Sequence, residues 1–445
     1  MRTIAIVGAG TAGCVVARHL ADATRNATEA TRIILIERGG VNPHHDAADF
    51  MLSLDQRDHA VTHVDARITE NTKDVAYPYV QAHCVGGGGA VNGMVVSPLH
   101  IEDFENWRDE YGCTDWNFAS VIQSVGKLYE SYEIDVADVG VVGSALLGAG
   151  ARPATLTWTH GRVSGASLIQ EHLANGVDAN GVIELQHANV TGLVIDNGGV
   201  QGVQTTAGMI AADLVVMATG SIITPLLLSE SGFTHTHLGN HAQDHPSVFF
   251  TVQRPTPHAG GFNATALCSM GDTQLIAYES ANAQTPMLGG ISLSVLKVRS
   301  RGRVTGTSQS PQIDLQLLSN PEDLAIMRNA VREFVHSTVP VIEKQCGKVM
   351  CDSLGSSARS LALQDDRGLD EWLYANVVPH SHVAGTCAMG EGPQAVVSQR
   401  GHVLGVQGLY VADASVFPQI PRSNTNMVVA AVALQIARFI TEDLS

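Results

Sequence analysis

The sequence predicts an α/β fold. One part is a parallel sheet flanked by helices and interrupted by a β-meander. The other is a discontinuous α+β region carrying an antiparallel sheet. Three observations predict this. A short β-branched run near the N-terminus leads into spaced glycines and then a helix with one apolar side. A hairpin-rich stretch around residue 200 returns to a second fully apolar run. The C-terminal end repeats the order of strand, acid and helix.

"TIAIV" (3–7) has the composition of a strand buried on both faces. "GAGTAG" follows at once and places Gly8, Gly10 and Gly13 in GxGxxG spacing. "CVVARHLADA" (14–23) reads as a helix with Val15, Val16 and Leu20 on its apolar side. "RIILI" (32–36) is a second strand, ending at Glu37. In this order each glycine has a task. Gly8 permits a sharp turn out of the strand, Gly10 lets a pyrophosphate approach the backbone, and Gly13 lets the helix sit close to the sheet. The helix N-terminus offers free N–H groups and a positive dipole end. Glu37 is placed to accept ribose hydroxyls, and its charge would repel a 2′-phosphate. A lone GxGxxG is weak. Strand, motif, helix, strand and acid together indicate a Rossmann-like unit for an adenine dinucleotide, NAD or FAD.

"HCVGGGGAVNGM" (83–94) holds four consecutive glycines, each costly to order. Val85, Val91, Met94 and Val95 border them, so the run reads as a buried loop packed against a ligand. Upstream, Tyr77-Pro78-Tyr79 reads as a turn, and residues 42–80 as a lid over the dinucleotide. In 189–225, Val194, Ile195, Val200 and Val203 carry a strand pattern with Asn197-Gly198-Gly199 as the hairpin turn. "LVVMATG" (214–220) returns to the parallel sheet. "SIITPLLLSESG" (221–232) reads as a helix entered through Thr224-Pro225, with proline at an early position. "GLYVADASVFP" (408–418) is a strand ending at Asp413, at the strand end where ligands of open α/β sheets bind. A carboxylate there can accept hydrogen bonds from a ribityl chain. "SNTNMVVAAVALQIARFI" (423–440) is a final helix with the cap-type residues Ser423, Asn424 and Thr425 at its start. In the centre, "PEDLAIMRNAVREFVHSTV" (321–339) is an amphipathic helix. "SVFFTVQ" (247–253) and "PQIDLQLL" (311–318) are strands of a sheet that roofs the ligand.

Lys plus Arg number 26 and Asp plus Glu 43, a net charge of −17 that disfavours nucleic acid as a partner. The seven cysteines are odd in number and lack CxxC or zinc-like spacing, so they read as reduced thiols of a reducing compartment. No metal site is expected. The N-terminus enters a strand pattern directly, without a signal-peptide pattern, and no apolar run reaches the ~18 residues of a membrane span. The expectation is a cytoplasmic protein without a transmembrane segment.

"GAGTAG", the 86–93 stretch, residues 220–232, "GNHAQDHP" (239–246), "HSHVAGTCAMG" (380–390) and "GLYVADASVFPQIPRSNTN" (408–426) stand in family order. Together they resemble the glucose–methanol–choline (GMC) oxidoreductases across the cofactor-binding framework. Residues 247–373 match no motif. The resemblance implies an FAD-binding domain and oxidation of a small-molecule alcohol by hydride transfer to flavin N5. It places His382 at the family's catalytic histidine and Asn424 at its partner position. Imidazole titrates near neutrality and can take the hydroxyl proton, while Asn424 can hold the substrate oxygen without becoming charged. Cofactor contacts are implied at Gly8, Gly10, Thr11, Ala12, Gly13, Glu37, Gly87, Gly88, Asn92, Gly93, Met94, Val190, Ala218, Gly220, Asp413, Ala414, Asn424 and Thr425. The start of the last helix would stabilise negative charge on the reduced flavin. For His380, two residues before His382, the structural reading is favoured over one facing the same pocket, and His245 and His402 read as structural.

The chain departs from the family at several points. His83 replaces a basic residue, and Gly89 and Ala90 replace small hydroxyls. Phe233-Thr234 follows Ser231-Gly232 in place of an aliphatic residue and glycine. Some relatives carry a histidine at position 91 that bonds to FAD; Val91 cannot, so noncovalent FAD is implied. The chain is also short in its centre, and the shorter actinobacterial relatives associated with the redox peptide mycofactocin are one comparison. A working division assigns 1–112, 151–246 and 374–445 to the FAD-binding domain, and 113–150 and 247–373 to the substrate domain. The expected electron acceptor is a quinone or a protein. The alternative is a lyase of the hydroxynitrile-lyase type, which uses this framework and FAD without redox turnover.

Overall fold

The computed structural model describes residues 1–27, 29–41, 60–70, 76–116, 118–173, 182–281 and 285–444. A five-stranded sheet lies at its centre, in the order Ile183–His187, Thr31–Glu37, Arg2–Val7, Leu214–Met217, Leu409–Val411. All four pairings are parallel. The three inner strands carry apolar runs because both faces are covered, and Ile4, Ile6, Ile34 and Val215 are wholly buried, whereas the edge strand Ile183–His187 alternates with polar residues. Helix Thr11–Thr24 packs against the last helix, Thr425–Asp443. The expected β-meander is present as Val190–Asp196, Gly199–Thr205 and Gly208–Ala211. Its first turn has φ of 49° at Asn197 and 79° at Gly198. Two consecutive positive φ values match the right-handed twist of the flanking strands.

A seven-stranded antiparallel sheet forms the second layer, with Pro246–Gln253, Leu288–Val295, Thr273–Tyr278 and Ala264–Met270 as its main strands. One face is covered by helices. Phe250 packs on Phe334 at 4.6 Å and on Trp372 at 5.8 Å between ring centroids. Phe250 lies opposite Ile291, which lies opposite Ala277, so Ile276 projects from the other face. Below this sheet the buried Glu279 accepts from the Val142 and Gly143 N–H groups, Thr265 Oγ1 and the Arg254 guanidinium. That anchors helix Val141–Leu147. Helix Phe118–Leu128 packs instead on the last helix, where Arg438 donates to Ser124 Oγ at 2.6 Å.

Four expectations are corrected. Residues 247–253 and 311–318 fall in different sheets. Ser310–Asp314 joins Gly302–Thr307, Asn240–Ala242, Val61–Arg67 and Tyr77–Ala82. Its parallel pairing with Val61–Arg67, Ile313 opposite Ala66, recruits a segment that local alternation cannot disclose. Tyr77-Pro78-Tyr79 is strand, not turn. Proline is tolerated because the strand lies at the sheet's edge. The helix after Gly220 spans Gly220–Glu230, with Pro225 inside it rather than near its start. Proline cannot donate to the Ser221 carbonyl, and Thr386 Oγ1 donates to that carbonyl instead, at 2.7 Å. The helix expected over 321–339 runs as Pro321–Glu333, a π-helical turn at Phe334–Thr338, then Val339–Gln345. Pro340 has no N–H for the preceding turn, and the wider turn absorbs it.

Of the 42–80 lid, the described residues 60–70 and 76–80 contribute to the sheet just named; the remainder lies outside the described residues. All seven cysteines are free. No helix among the described residues is long and apolar enough to cross a membrane.

Candidate active site

A cavity of about 510 Å³ opens at the carboxyl ends of the parallel strands. Every cofactor position expected from the sequence lines it except Gly13, and so do His382 and Asn424. Gly13 stands behind the loop: a Cβ there would lie 1.9 Å from the Gly8 carbonyl oxygen, so its absence serves packing rather than ligand contact. Gly8 has φ +97°, and its Cβ would meet the Ala218 oxygen at 2.6 Å. The glycine run makes a different contact from the one expected. A Cβ on Gly87 would lie 2.6 Å from Gly10 Cα, so the two glycine loops interlock backbone to backbone. A Cβ on Gly88 would meet no protein atom within 4 Å, so this position faces open space.

Arg162 ties this loop down. Its Nη1 donates to the Asn92 carbonyl at 2.7 Å, to Asn92 Oδ1 at 2.9 Å and to the Gly89 carbonyl at 3.3 Å. Asn92 Oδ1 also accepts the Met94 N–H at 3.0 Å, holding Met94 at φ +63°. Burial pushes the Arg162 guanidinium down to about 10. Sequence reasoning missed Arg162, since one arginine between glycine and valine carries no periodic signal.

The two acids that line the cavity also serve the scaffold. Glu37 accepts the Ala9 N–H at 2.9 Å and the Gly39 N–H at 2.8 Å, fixing its carboxylate at the cavity edge. Asp413 Oδ2 accepts the Gly220 N–H at 2.8 Å and Thr224 Oγ1 at 2.6 Å, and Oδ1 accepts the Ser415 N–H at 2.9 Å. Asp413 therefore organises the start of helix Gly220–Glu230. Burial raises its pKa, and these hydrogen bonds oppose the rise.

The histidine loop turns at Ser381, which has φ +61°. Asp244 clamps both sides of it. Its Oδ1 accepts the His380 N–H at 3.2 Å and the His382 N–H at 3.0 Å. Oδ2 accepts the Tyr79 hydroxyl at 2.8 Å, and the Tyr79 hydroxyl oxygen in turn accepts the Val383 N–H at 3.2 Å. Burial pushes the Asp244 carboxyl up to about 7. The clamp sets the rings of His380 and His382 4.6 Å apart, both lining the cavity. His382 Nδ1 lies 2.9 Å from Nδ1 of His245, whose Nε2 donates to the Pro421 carbonyl at 3.1 Å. His245, read from sequence as structural, thus touches the expected base. The available signal was the "DHP" block, which supplies both the clamp and this contact. Burial, reinforced by the neighbouring imidazoles, lowers His382 well below its ordinary value. It lowers His380 to about 4 and His245 to about 3. Nitrogens of all three lie within 4.8 Å of one another, but the Nδ1 atoms of His245 and His382 are spent on each other. His402 lies elsewhere, bonded to Asp443 at 3.0 Å.

Asn424 occupies the N-cap position of the last helix without capping it. Its Nδ2 donates to the Val95 carbonyl at 3.3 Å, and its Oδ1 is buried without a partner. Ser221 Oγ and Asn426 Nδ2, from residues that line the same cavity, are also buried and unpartnered. Unpaired buried polar atoms are rare, so three around one cavity fit a polar ligand. Two helix N-termini, at Thr11 and Thr425, open on the same cavity and favour an anionic group. Near Asn424, Val95 packs with Ile276 and Tyr278 of the antiparallel sheet. These two residues were not named from sequence. Among the described lining residues the only carboxylates are Glu37 and Asp413.

Two family profiles described as GMC oxidoreductase match the chain, the N-terminal one at residues 164–247 and the C-terminal one at 298–433. The 5-(hydroxymethyl)furfural oxidase of Methylovorus sp. is 35% identical over 135 residues, which cover 28% of this chain and 25% of that protein. The oxygen-dependent choline dehydrogenase of Rhizobium etli is 24% identical over 95% of this chain and 92% of its own. Pyridoxine 4-oxidase from Mesorbium loti shares the fold, with a TM-score of 0.84 over 98% of this chain and 99% of that one at 18% identity. None of these findings supports a lyase. With both profiles in sequence order and the whole fold shared, the chain belongs to the GMC oxidoreductase family.

Proposed function

We propose that the protein binds FAD noncovalently and oxidises a small, uncharged alcohol, with His382 taking the hydroxyl proton and Asn424 holding the oxygen. One observation carries this reading: His382 and the half-unpartnered Asn424 line the same cavity as the two interlocked glycine loops and two helix N-termini. FAD, when bound, supplies the hydride acceptor. The first glycine loop and Thr11 would hold its pyrophosphate, Glu37 the ribose, and Thr425 the flavin edge. Val91 has no nucleophilic atom for a covalent link.

Desolvation and the neighbouring imidazoles lower His382 well below its ordinary value, so the ring is neutral at pH 7 and its lone pair is available as a base. Asn424 spends one N–H on Val95, which leaves its second N–H and its Oδ1 for the substrate. Holding the alcohol between these two groups supplies orientation, the largest contribution this scaffold can make without charge. The substrate end is formed by Val95, Ile276, Tyr278 and neutral imidazoles, and no described carboxylate is free to pair with a cation there. A desolvated ammonium would therefore be costly, which favours an uncharged alcohol. The acceptor we propose is a quinone or a protein.

The test is anaerobic mixing of purified protein with a panel of alcohols. Uncharged primary alcohols should bleach the visible flavin band, and choline should do so more slowly. His382→Ala should retain FAD yet slow the bleaching at least ~100-fold. Unchanged bleaching in that variant would remove His382 from the mechanism. Fast reoxidation of the bleached enzyme by air would overturn the proposed acceptor.

A further inference from the structure

The Pro421 carbonyl can only accept, so the His245 nitrogen facing it, Nε2, carries a proton. A neutral imidazole has one N–H, which leaves Nδ1 of His245 as a lone pair. The atom 2.9 Å from that lone pair is Nδ1 of His382, which must then be the donor. We propose that His245 is a positioning residue that holds His382 in its Nδ1–H tautomer and thereby leaves Nε2 of His382 as the free base. This rests on the reading of His382 as the base.

The surroundings support the assignment. His245 is fully buried, so water does not compete for its Nδ1. The two rings stand at 90° with centroids 5.1 Å apart, edge to face, which fixes the direction of the His382 ring as well as its proton. His380 does not supply this contact, since its Nδ1 lies 3.5 Å from Ser294 Oγ. The opposite tautomer of His382 would set two lone pairs against each other at 2.9 Å. In the proposed step the substrate O–H bond breaks and an Nε2–H bond forms on His382, while the C–H bond on the carbon bearing that oxygen breaks, its hydride passes to the cofactor with both electrons, and the C–O bond becomes C=O. No proton moves onto His245. Its role is to accept from the resulting imidazolium, and a hydrogen bond from a charged donor is roughly twice as strong as a neutral one. Removing such an orienting partner from an acid–base pair can cost as much as ~10⁴-fold in rate.

The experiment is nitrogen NMR of the holoenzyme labelled with ¹⁵N-histidine, at neutral pH, with the His382 signals assigned by their loss in His382→Gln. The expected result is a protonated Nδ1 and an unprotonated Nε2 at His382; a protonated Nε2 overturns the proposal. This reading needs no turnover, so it is separable from failure of His382 as base, which shows as unimpaired bleaching in His382→Ala. A variant pair adds a second arm. His245→Leu, which removes the acceptor, should lower the limiting rate of flavin reduction ~100-fold with little change in half-saturating alcohol. His245→Asn, whose Oδ1 can accept from the same direction, should recover most of the loss. Equal rates in the two variants would overturn the proposal. If His245→Leu does not fold, the NMR result on the unsubstituted enzyme decides.

Discussion

Asp244 carries a task that its sequence block does not advertise. A non-glycine residue at positive φ, such as Ser381, costs on the order of 1–3 kcal/mol and persists only where its surroundings hold it. Here one carboxylate accepts from the N–H groups on both sides of the turn and from Tyr79. Asp244→Asn replaces one accepting oxygen with a donor facing donors. It should cost about 1–3 kcal/mol in urea unfolding of the holoenzyme and slow flavin reduction more than it weakens FAD binding. Tyr79→Phe leaves the Val383 N–H and one Asp244 oxygen without this partner, and should destabilise by a similar ~1–3 kcal/mol. Variants as stable as the parent in the same titration would show that the turn is held by something else. At this scale the place of His382 and Asn424 at the cavity was legible, because motif position alone singles them out. The links of His245 to His382 and of Asp244 to Tyr79 were not, because they join residues far apart in the chain at distances no periodicity encodes.

At the scale of elements, the cofactor wall is a contact between two loops, and Arg162 is the bolt between the second loop and the chain that follows. Its three bonds all come from Nη1, and they reach the carbonyls at both ends of the loop's descending half. Hydrogen bonds to charged groups contribute ~1.5–3 kcal/mol each. Arg162→Leu should therefore weaken FAD binding ~10–100-fold, measured by recovery of flavin fluorescence on dilution, since 1.4 kcal/mol is tenfold. Unchanged affinity would mean that the interlock of Gly87 with Gly10 suffices to hold the loop. Four strands of the parallel sheet were readable because burial leaves continuous apolar runs; the fifth, Ile183–His187, was not named, because its polar alternation at the sheet edge gives no such run. Two of the failures share one cause. Pro225 sits mid-helix because Thr386, distant in sequence, takes the freed carbonyl. Pro78 sits in a strand because that strand happens to be an edge. Local rules for proline describe a chain without partners, and here a tertiary partner overrode them.

For the whole molecule, packing buried His245 against half-buried His380 and His382 makes stability depend on acid. His245 falls to about 3, His380 to about 4, and His382 well below its ordinary value. Unfolding returns each to roughly 6.5. The unfolded chain then binds protons first as pH drops, so their contribution is complete above about 6.5 and is lost progressively as pH falls through the folded values. Asp244 acts in the opposite sense. Raised from 3.8 to about 7, its contribution is complete below 3.8 and is lost as pH rises through 7, so acidification restores stability at that site. Asp413, also raised by burial, works in the same direction as Asp244. Three depressed bases against two raised acids leave a net loss. The unfolding temperature of the holoenzyme should therefore decline between pH 6.5 and 4, measured by calorimetry at constant ionic strength. His380→Asn, which removes one of the three bases, should flatten that decline. A flat profile in the unsubstituted protein would mean that water reaches the histidine cluster. In that case the low-dielectric setting that keeps His382 neutral, and so ready to accept a proton, would be absent as well.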